Sequence, residues 1–130
     1  MDAPDGVEDA IFDVDVLDLS DRLSVIEVHG QADLHTASDL RGAISGAIDR
    51  GAVHLVVDLS EATFIDSSVI HVIVRAAEAV NGSQRAVVLQ LGTAAIVERA
   101  LEIANIEQVL PRAHDRQEAV RIIQQKAETV

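Results

Sequence analysis

The chain has no cysteine, no tryptophan and no tyrosine, and only two phenylalanines among its 130 residues. Without cysteine there is no disulfide framework, no thiolate nucleophile and no thiolate metal site. So few aromatic rings exclude stacking on exposed bases or sugars as a main mode of recognition. No apolar run approaches the roughly 20 residues needed to cross a bilayer. The stretch Met1-Asp2-Ala3-Pro4-Asp5 lacks the basic-then-apolar layout of a signal peptide. These absences point to the cytoplasm and against membrane insertion.

Positive charge is also scarce. Ten Lys and Arg stand against 22 Asp and Glu, for a formal net charge of −12. Eight acidic residues and no basic ones fall between Met1 and Asp21. A surface of this sign repels phosphate backbones, so no direct nucleic-acid partner is expected. It suits a basic protein partner, or serves solubility alone.

What remains is aliphatic. Hydrophobic residues make up 48% of the chain, enough for one buried core of Val, Ile, Leu and Ala. The expected organisation is a flexible acidic arm over residues 1–10 and a single domain over 11–127. Ile11 to Val16 alternates apolar and acidic residues with the period of a half-solvated strand. Ser20-Asp21-Arg22 reads as a turn, and Leu23 to His29 as a second strand ended by Gly30. Thr36 to Arg50 reads as a helix with Leu40, Ile44, Ala47 and Ile48 inward, and Thr36 and Asp39 spaced as a capping box. Gly42 and Gly46 in it suggest close packing on a sheet.

After Gly51, Val53 to Asp58 is a nearly continuous apolar run, as in a strand buried on both faces, with His54 hydrogen-bonded in the core. A loop follows, and Asp66-Ser67-Ser68 opens a helix running to Val80 before Asn81-Gly82. Ala86 to Leu91 is a further strand. Thr93 to Ala104 is a helix with Ile96, Ala100, Leu101 and Ala104 inward, and Asn105 stops it. Ile106 to Leu110 reads as a short strand ended by Pro111. Asp115 and Glu118 then cap a last helix with Ala119, Ile122 and Ile123 inward. The order β-β-α-β-α-β-α-β-α predicts an α/β fold, a mixed sheet of about five strands with four helices.

Chemistry is expected where the central strand hands over to its helix. In open α/β sheets this edge is where ligands and partners meet the protein. Ser67 and Ser68 sit at a helix N-terminus, whose unpaired N–H groups and partial positive charge tolerate a phosphate. The same triplet is also what ordinary N-capping looks like. On the following helix, Ile70, Ile73, Val74 and Ala77 form the core face. Val69, Val72, Ala76 and Ala79 form a second apolar flank, open to a partner or covered by neighbouring segments.

Three stretches resemble, in register, the STAS domains of bacterial anti-sigma factor antagonists. Gly30-Gln31-Ala32-Asp33-Leu34-His35-Thr36-Ala37 is similar to the family's Gly-Glu-Leu-Asp-x-x-Thr-Ala approach to the first helix. Val56-Val57-Asp58-Leu59-Ser60 through Phe64-Ile65-Asp66-Ser67-Ser68 resembles its strand and Asp-Ser-Ser/Thr-Gly switch. Thr93 to Leu101 resembles its Ser-Pro-x-Val-x-Arg-x-Leu helix. Gln31 stands where the family has glutamate, and Val69 where it has glycine, adding bulk at the edge of the switch.

The resemblance implies a STAS fold and a partner-switching regulator of transcription through a sigma factor, as in stress responses. Such a protein binds an anti-sigma factor that is also a serine kinase, is released by phosphorylation, and is restored by a phosphatase. The phosphoacceptor falls on Ser67, with Ser68 the second choice. Asp33, Thr36, Asp66, Ser67, Ser68, Val69 and Val72 fall on the partner-binding surface. The family implies no catalysis and no cofactor, and the chain is expected to be a monomer or weak dimer. The alternative within the fold is a scaffold or accessory subunit, of a signalling complex or a lipid transporter, that works without phosphorylation.

Other chemistries have weaker support. Ser67 and His71 lie one turn apart, but Gly-x-Ser-x-Gly is absent and no acid is placed to orient His71. The five histidines show no His-x-x-x-His spacing, so no metal site is expected. No Gly-x-Gly-x-x-Gly or Walker sequence exists for nucleotide binding.

Overall fold

The computed structural model describes residues 12–80 and 85–128. The expected acidic arm and the Asn81-Gly82 stop therefore lie outside the described residues. Strand β1 spans Phe12–Asp18 and β2 Leu23–Ala32, followed by helix α1 over Ala37–Asp49. Strand β3 spans His54–Ile65, helix α2 Ser67–Val80, strand β4 Ala86–Gln90 and helix α3 Ala95–Ile103. A 3-10 turn at Ile106–Gln108, a short strand β5 at Arg112–Ala113 and helix α4 over Arg116–Glu128 complete the order. The α/β class, the five strands and the four helices match the sequence expectation.

The five strands lie side by side in chain order, β1-β2-β3-β4-β5. Only the β1–β2 pair is antiparallel; β2–β3, β3–β4 and β4–β5 are parallel. Each parallel step crosses over through a helix, so α1, α2 and α3 share one face. Their inward residues Leu40, Ile44, Ile73, Val97 and Leu101 close a single core on Ile26, Val28, Leu55, Val57 and Leu89. Alternate residues of the same strands, Val25, Val56 and Val88, meet Ala119 and Ile123 of α4 on the opposite face. Among the described residues one helix covers that face, packed mainly on β4 with β3 and β5.

Parity sets a polar row across this second face. Glu27, Asp58 and Gln90 pair laterally from β2 to β4 and share the direction of Val25, Val56 and Val88. Asp58 and Gln90 are buried. Arg116 at the start of α4 answers them. Its Nη2 donates to Asp58 Oδ2 at 2.7 Å and Glu27 Oε2 at 3.0 Å, and its Nε donates to Gln90 Oε1 at 2.8 Å. Burial works against the guanidinium charge, but the hydrogen bonds to Asp58 and Glu27 outweigh it and hold the proton more firmly.

Several elements differ from the sequence reading. Strand β2 does not stop at Gly30, which instead adopts φ 84° at a register shift and lets the strand continue to Ala32. The expected loop after Asp58 is strand, because Asp58 Oδ1 accepts the Ser60 N–H at 2.8 Å and folds the turn-like residues into a bulge. Ile106 to Leu110 is not a strand. Asn105, with φ 56°, turns the chain into the 3-10 turn, and the strand begins after Pro111. On α3, Val97 points inward with Leu101, while Ile96 and Ala104 are exposed. His54 is buried, yet its Nδ1 has no hydrogen-bond partner among the described residues. Burial accordingly holds its imidazole below the ordinary pKa, helped by the charges of Arg22 and Arg85.

Glycine roles also differ. Gly42 is exposed, and a Cβ there would meet nothing within 4 Å; one on Gly46 would touch only the Arg50 guanidinium. The close approach belongs to Gly92, where a Cβ would stand 2.6 Å from the Ser60 backbone oxygen. Gly92→Ala should therefore destabilise the fold by about 1–3 kcal/mol through forced backbone movement. Gly42→Ala should stabilise it by up to about 1 kcal/mol through helix propensity and unfolded-chain entropy. Denaturant titration of both variants checks this, and equal effects would contradict the assignment.

Candidate functional site

Strands β2 and β3 finish in step, with Ala32 paired to Ile65. The next residue of each is an aspartate, so Asp33 and Asp66 leave the sheet side by side. Each opens a turn into a helix. The Asp33 turn is closed by Thr36, whose Oγ1 accepts the Asp33 N–H at 2.8 Å and donates to the Asp33 carbonyl at 3.0 Å. Asp33 Oδ1 in turn accepts the His35 N–H at 3.0 Å. Thr36 holds the N-cap position of α1, but its side chain makes no cap hydrogen bond. The Thr36–Asp39 capping box expected from spacing is therefore absent, because the hydroxyl is spent on the Asp33 turn.

Asp66 is the cap of α2. Its Oδ1 accepts the Ser68 N–H at 3.0 Å, the Val69 N–H at 3.2 Å and the Ser68 hydroxyl at 2.5 Å. Burial would raise the Asp66 pKa. Hydrogen bonds from the Ser68 side chain and from the N–H groups of Val69, Ser68 and Leu34 outweigh that and hold it below 3.8. The Leu34 contribution ties the Asp33 turn to the start of α2.

This arrangement separates the two serines. Ser68 is half-buried with its hydroxyl committed to Asp66. Ser67 is exposed, and its hydroxyl has no partner among the described residues. Around it lies a shallow depression lined by Leu34, Ala37, Ser38, Arg41, Ser68 and His71. Arg41 and His71 continue into a groove between α1 and α2 that also presents Arg75. The Arg41 guanidinium thus lies beside the N-terminus of α2 in a strongly acidic protein.

Sequence reasoning placed Asp33, Thr36, Asp66, Ser67 and Ser68 here, and the fold brings them to one edge. It misplaced Val69 and Val72. Val69 is 0% and Val72 4% exposed, both within the main core. Val69 adds no bulk at the edge of Ser67, and Val72 lines the groove between α1 and α2. The second apolar flank of α2 is largely covered, with Val69, Val72 and Ala76 buried where α1 packs on α2, and only Ala79 exposed. Leu34, 69% exposed, and Arg41 were missed. The one-turn spacing of Ala37, Ser38 and Arg41 at the head of α1 was the available signal. No hydrogen bond joins Ser67 and His71 among the described residues, although both line the same depression.

The STAS domain family model matches residues 16–119. Among solved structures, an anti-sigma factor antagonist from Mycobacterium paratuberculosis is similar at 24% identity and a TM-score of 0.77, over 95% of this chain and 99% of that one. The anti-sigma factor antagonist SpoIIAA in its unphosphorylated form gives 21% identity and a TM-score of 0.70, over 87% and 97%. The phosphorylated form of the Bacillus cell fate determinant SpoIIAA gives 15% identity and a TM-score of 0.65, over 85% and 99%. At these identities the likeness concerns the fold.

The cap makes a stability prediction. Asp66→Ala should cost about 1 kcal/mol at neutral pH. Because the folded-state pKa of Asp66 lies below 3.8, its stabilisation is complete above that value and is lost as pH falls through the lowered one. The gap between wild type and Asp66→Ala in urea titrations should therefore narrow below about pH 4. Asp18, lowered by its hydrogen bond from Arg50, and Glu118, lowered by the His114 N–H, titrate likewise, so only the difference isolates Asp66. A gap independent of pH would contradict the assignment.

Proposed function

Because this chain belongs to the STAS domain family, we propose that it acts as an anti-sigma factor antagonist, a cytoplasmic partner-switching protein controlled at Ser67. In this reading the unphosphorylated edge formed by the Asp33 turn and the head of α2 binds an anti-sigma factor. That factor is itself a serine kinase; it phosphorylates Ser67, the contact ends, and a phosphatase restores it. The observation that carries the reading is the division between the serines. Asp66 holds Ser68 in the cap, whereas Ser67 stands exposed and unpartnered at the same helix end. That SpoIIAA has been solved with and without phosphate supports assigning a phosphorylation cycle to this chain.

The physical effect of the modification follows from charge. Phosphate adds about −1.5 to −2 charges and three acceptor oxygens. The positive end of α2 tolerates it, while a docked partner would have to desolvate it next to the Asp66 carboxylate. The protein performs no catalysis in this scheme; Ser67 is substrate. Leu34 and Arg41 join Asp33, Asp66 and Ser67 as the contact surface, in place of the buried Val69 and Val72. No helix among the described residues is long and apolar enough to cross a membrane.

The test pairs modification with binding. Incubation with the anti-sigma kinase and ATP should place phosphate on Ser67, mapped by mass spectrometry, and Ser67→Ala should abolish it. Ser67→Asp should weaken capture of the anti-sigma factor by about tenfold or more, while Ser67→Ala preserves it. Equal affinities would refute the switch. A chain that binds its partner but takes no phosphate on either serine would be a STAS scaffold or accessory subunit instead.

A further inference from the structure

The chain enters the sheet at the edge that carries Ser67. Strand β1 runs antiparallel to β2 and begins at Phe12, opposite Gly30, just before β2 ends at Ala32. Residues 1–11 therefore join the fold beside Asp33 and the head of α1, which packs on β1. This segment carries Asp2, Asp5, Glu8 and Asp9, no basic residue, and Val7, Ala10 and Ile11 among its apolar ones.

Three hollows join end to end from that point. The first is lined by Asp13 and Val14 of β1 and by Ser38, Asp39, Gly42 and Ala43 of α1. Ser38 also lines the depression around Ser67. Arg41 and His71 line both that depression and the groove between α1 and α2. A continuous track thus leaves the start of β1, crosses α1 at Ser38 and Gly42, passes Ser67 and ends in the groove. The crossing is low: Gly42 is exposed, and a Cβ there would meet nothing within 4 Å.

Charge reverses along the track. Asp13 and Asp39 flank its start, whereas Arg41, His71 and Arg75 rim its end. Arg41 is exposed and makes no hydrogen bond or ion pair among the described residues. Arg75 has a 3.7 Å ion pair to Glu78, with the two side chains 69% and 63% exposed. A pair so open to solvent is weak and easily exchanged. Ile44, Val72 and Ala76 floor the groove between them. Two arginines so little engaged, over an aliphatic floor, fit an acidic segment with apolar residues.

We propose that residues 2–11 of the same chain dock along this track as an acidic strap over Ser67. Crossing a helix about 10 Å wide takes about three or four extended residues. Ala10 and Ile11 then lie against Val14 and Ala43 in the first hollow, where a carboxylate would be repelled by Asp13 and Asp39. Glu8 and Asp9 reach Arg41 and His71, Val7 faces the aliphatic floor, and Asp5 reaches Arg75. These pairs are open to solvent, so salt screens them and docking is reversible. Docking itself needs no phosphorylation. Its regulatory meaning rests on the switch proposed for Ser67: strap and anti-sigma factor compete for one edge, and phosphate on Ser67 repels the strap.

The test uses neither kinase nor anti-sigma factor, so it fails or succeeds separately from the switch. Because the chain has no cysteine, Ala3→Cys offers one site for a nitroxide label. In the full chain at low salt, the label should broaden the amide signals of Arg41, His71 and Arg75. Broadening should vanish at about 1 M salt, and in the variant combining Asp5→Asn, Glu8→Gln and Asp9→Asn. Broadening unchanged in that variant would overturn the proposal. So would broadening seen only between mixed labelled and isotope-enriched copies, as for a strap seated on a second copy. Shielding is read from Ser67→Cys, whose thiol should react with neutral iodoacetamide several-fold faster once Arg41→Gln releases the strap. Loss of the Arg41 charge alone would instead slow the reaction by disfavouring the thiolate. A slower or unchanged rate would therefore overturn the strap over Ser67.

Discussion

The pairing of β2 with β3 is the constraint from which the rest of the structure follows. These two parallel strands run together through two register shifts and end in step at Ala32 and Ile65. Their common end is what brings two sequence-distant aspartates, Asp33 and Asp66, to one edge. The bulge at Asp58–Ser60 and the positive φ of Gly30 absorb the residues that would otherwise set the ends out of step. A strand slip of one residue would turn Ile26 and Val57 out of the core and separate the two turns together. Core packing and site geometry are thus held by the same ladder.

The two faces of the sheet are used differently. Among the described residues, three helices close the aliphatic core on one face and α4 closes the other. The thinner cover leaves room for a polar row, which would be untenable without Arg116 because Asp58 is buried. Replacing the guanidinium would strand that carboxylate, and broken buried pairs of this kind cost about 3–5 kcal/mol when fully enclosed. Partial exposure of Arg116, at 31%, reduces that figure here. Arg116 therefore pins α4 to three strands at once, and α4 in turn completes the second core.

Much of this was legible in the sequence, for reasons that can be named. Apolar periodicity located α1, α2 and the buried strands, since those segments are decided by burial. The Asp66-Ser67-Ser68 cap was legible because its hydrogen bonds are local. What failed was non-local. Leu59 to Ile65 look like a loop until Gly30–Ala32 lie alongside them. Thr36 and Asp39 have capping-box spacing, but the Thr36 hydroxyl goes to a turn that only Asp33 provides. Val69 was misplaced because helical spacing alone does not say that α1 packs against that side of α2. Ile96 and Val97 are adjacent and similarly apolar, so only the tilt of α3 on the sheet decides between them.

The corrected position of Val69 changes the physical picture of the site. With its side chain sealed in the core and its N–H bound to Asp66, Val69 anchors the first turn of α2 from beneath. Ser68 is fixed from above by the same carboxylate. Ser67 is left as the one member of the triplet whose hydroxyl can change without disturbing the cap. A charge placed there would act on an already rigid edge, so its effect on a partner would be electrostatic and immediate rather than transmitted through unfolding of the helix. Modification of Ser68 would first have to break the cap that positions it. In the proposed switch the cap and the acceptor are therefore separate residues, so the surface would change charge while its shape is retained.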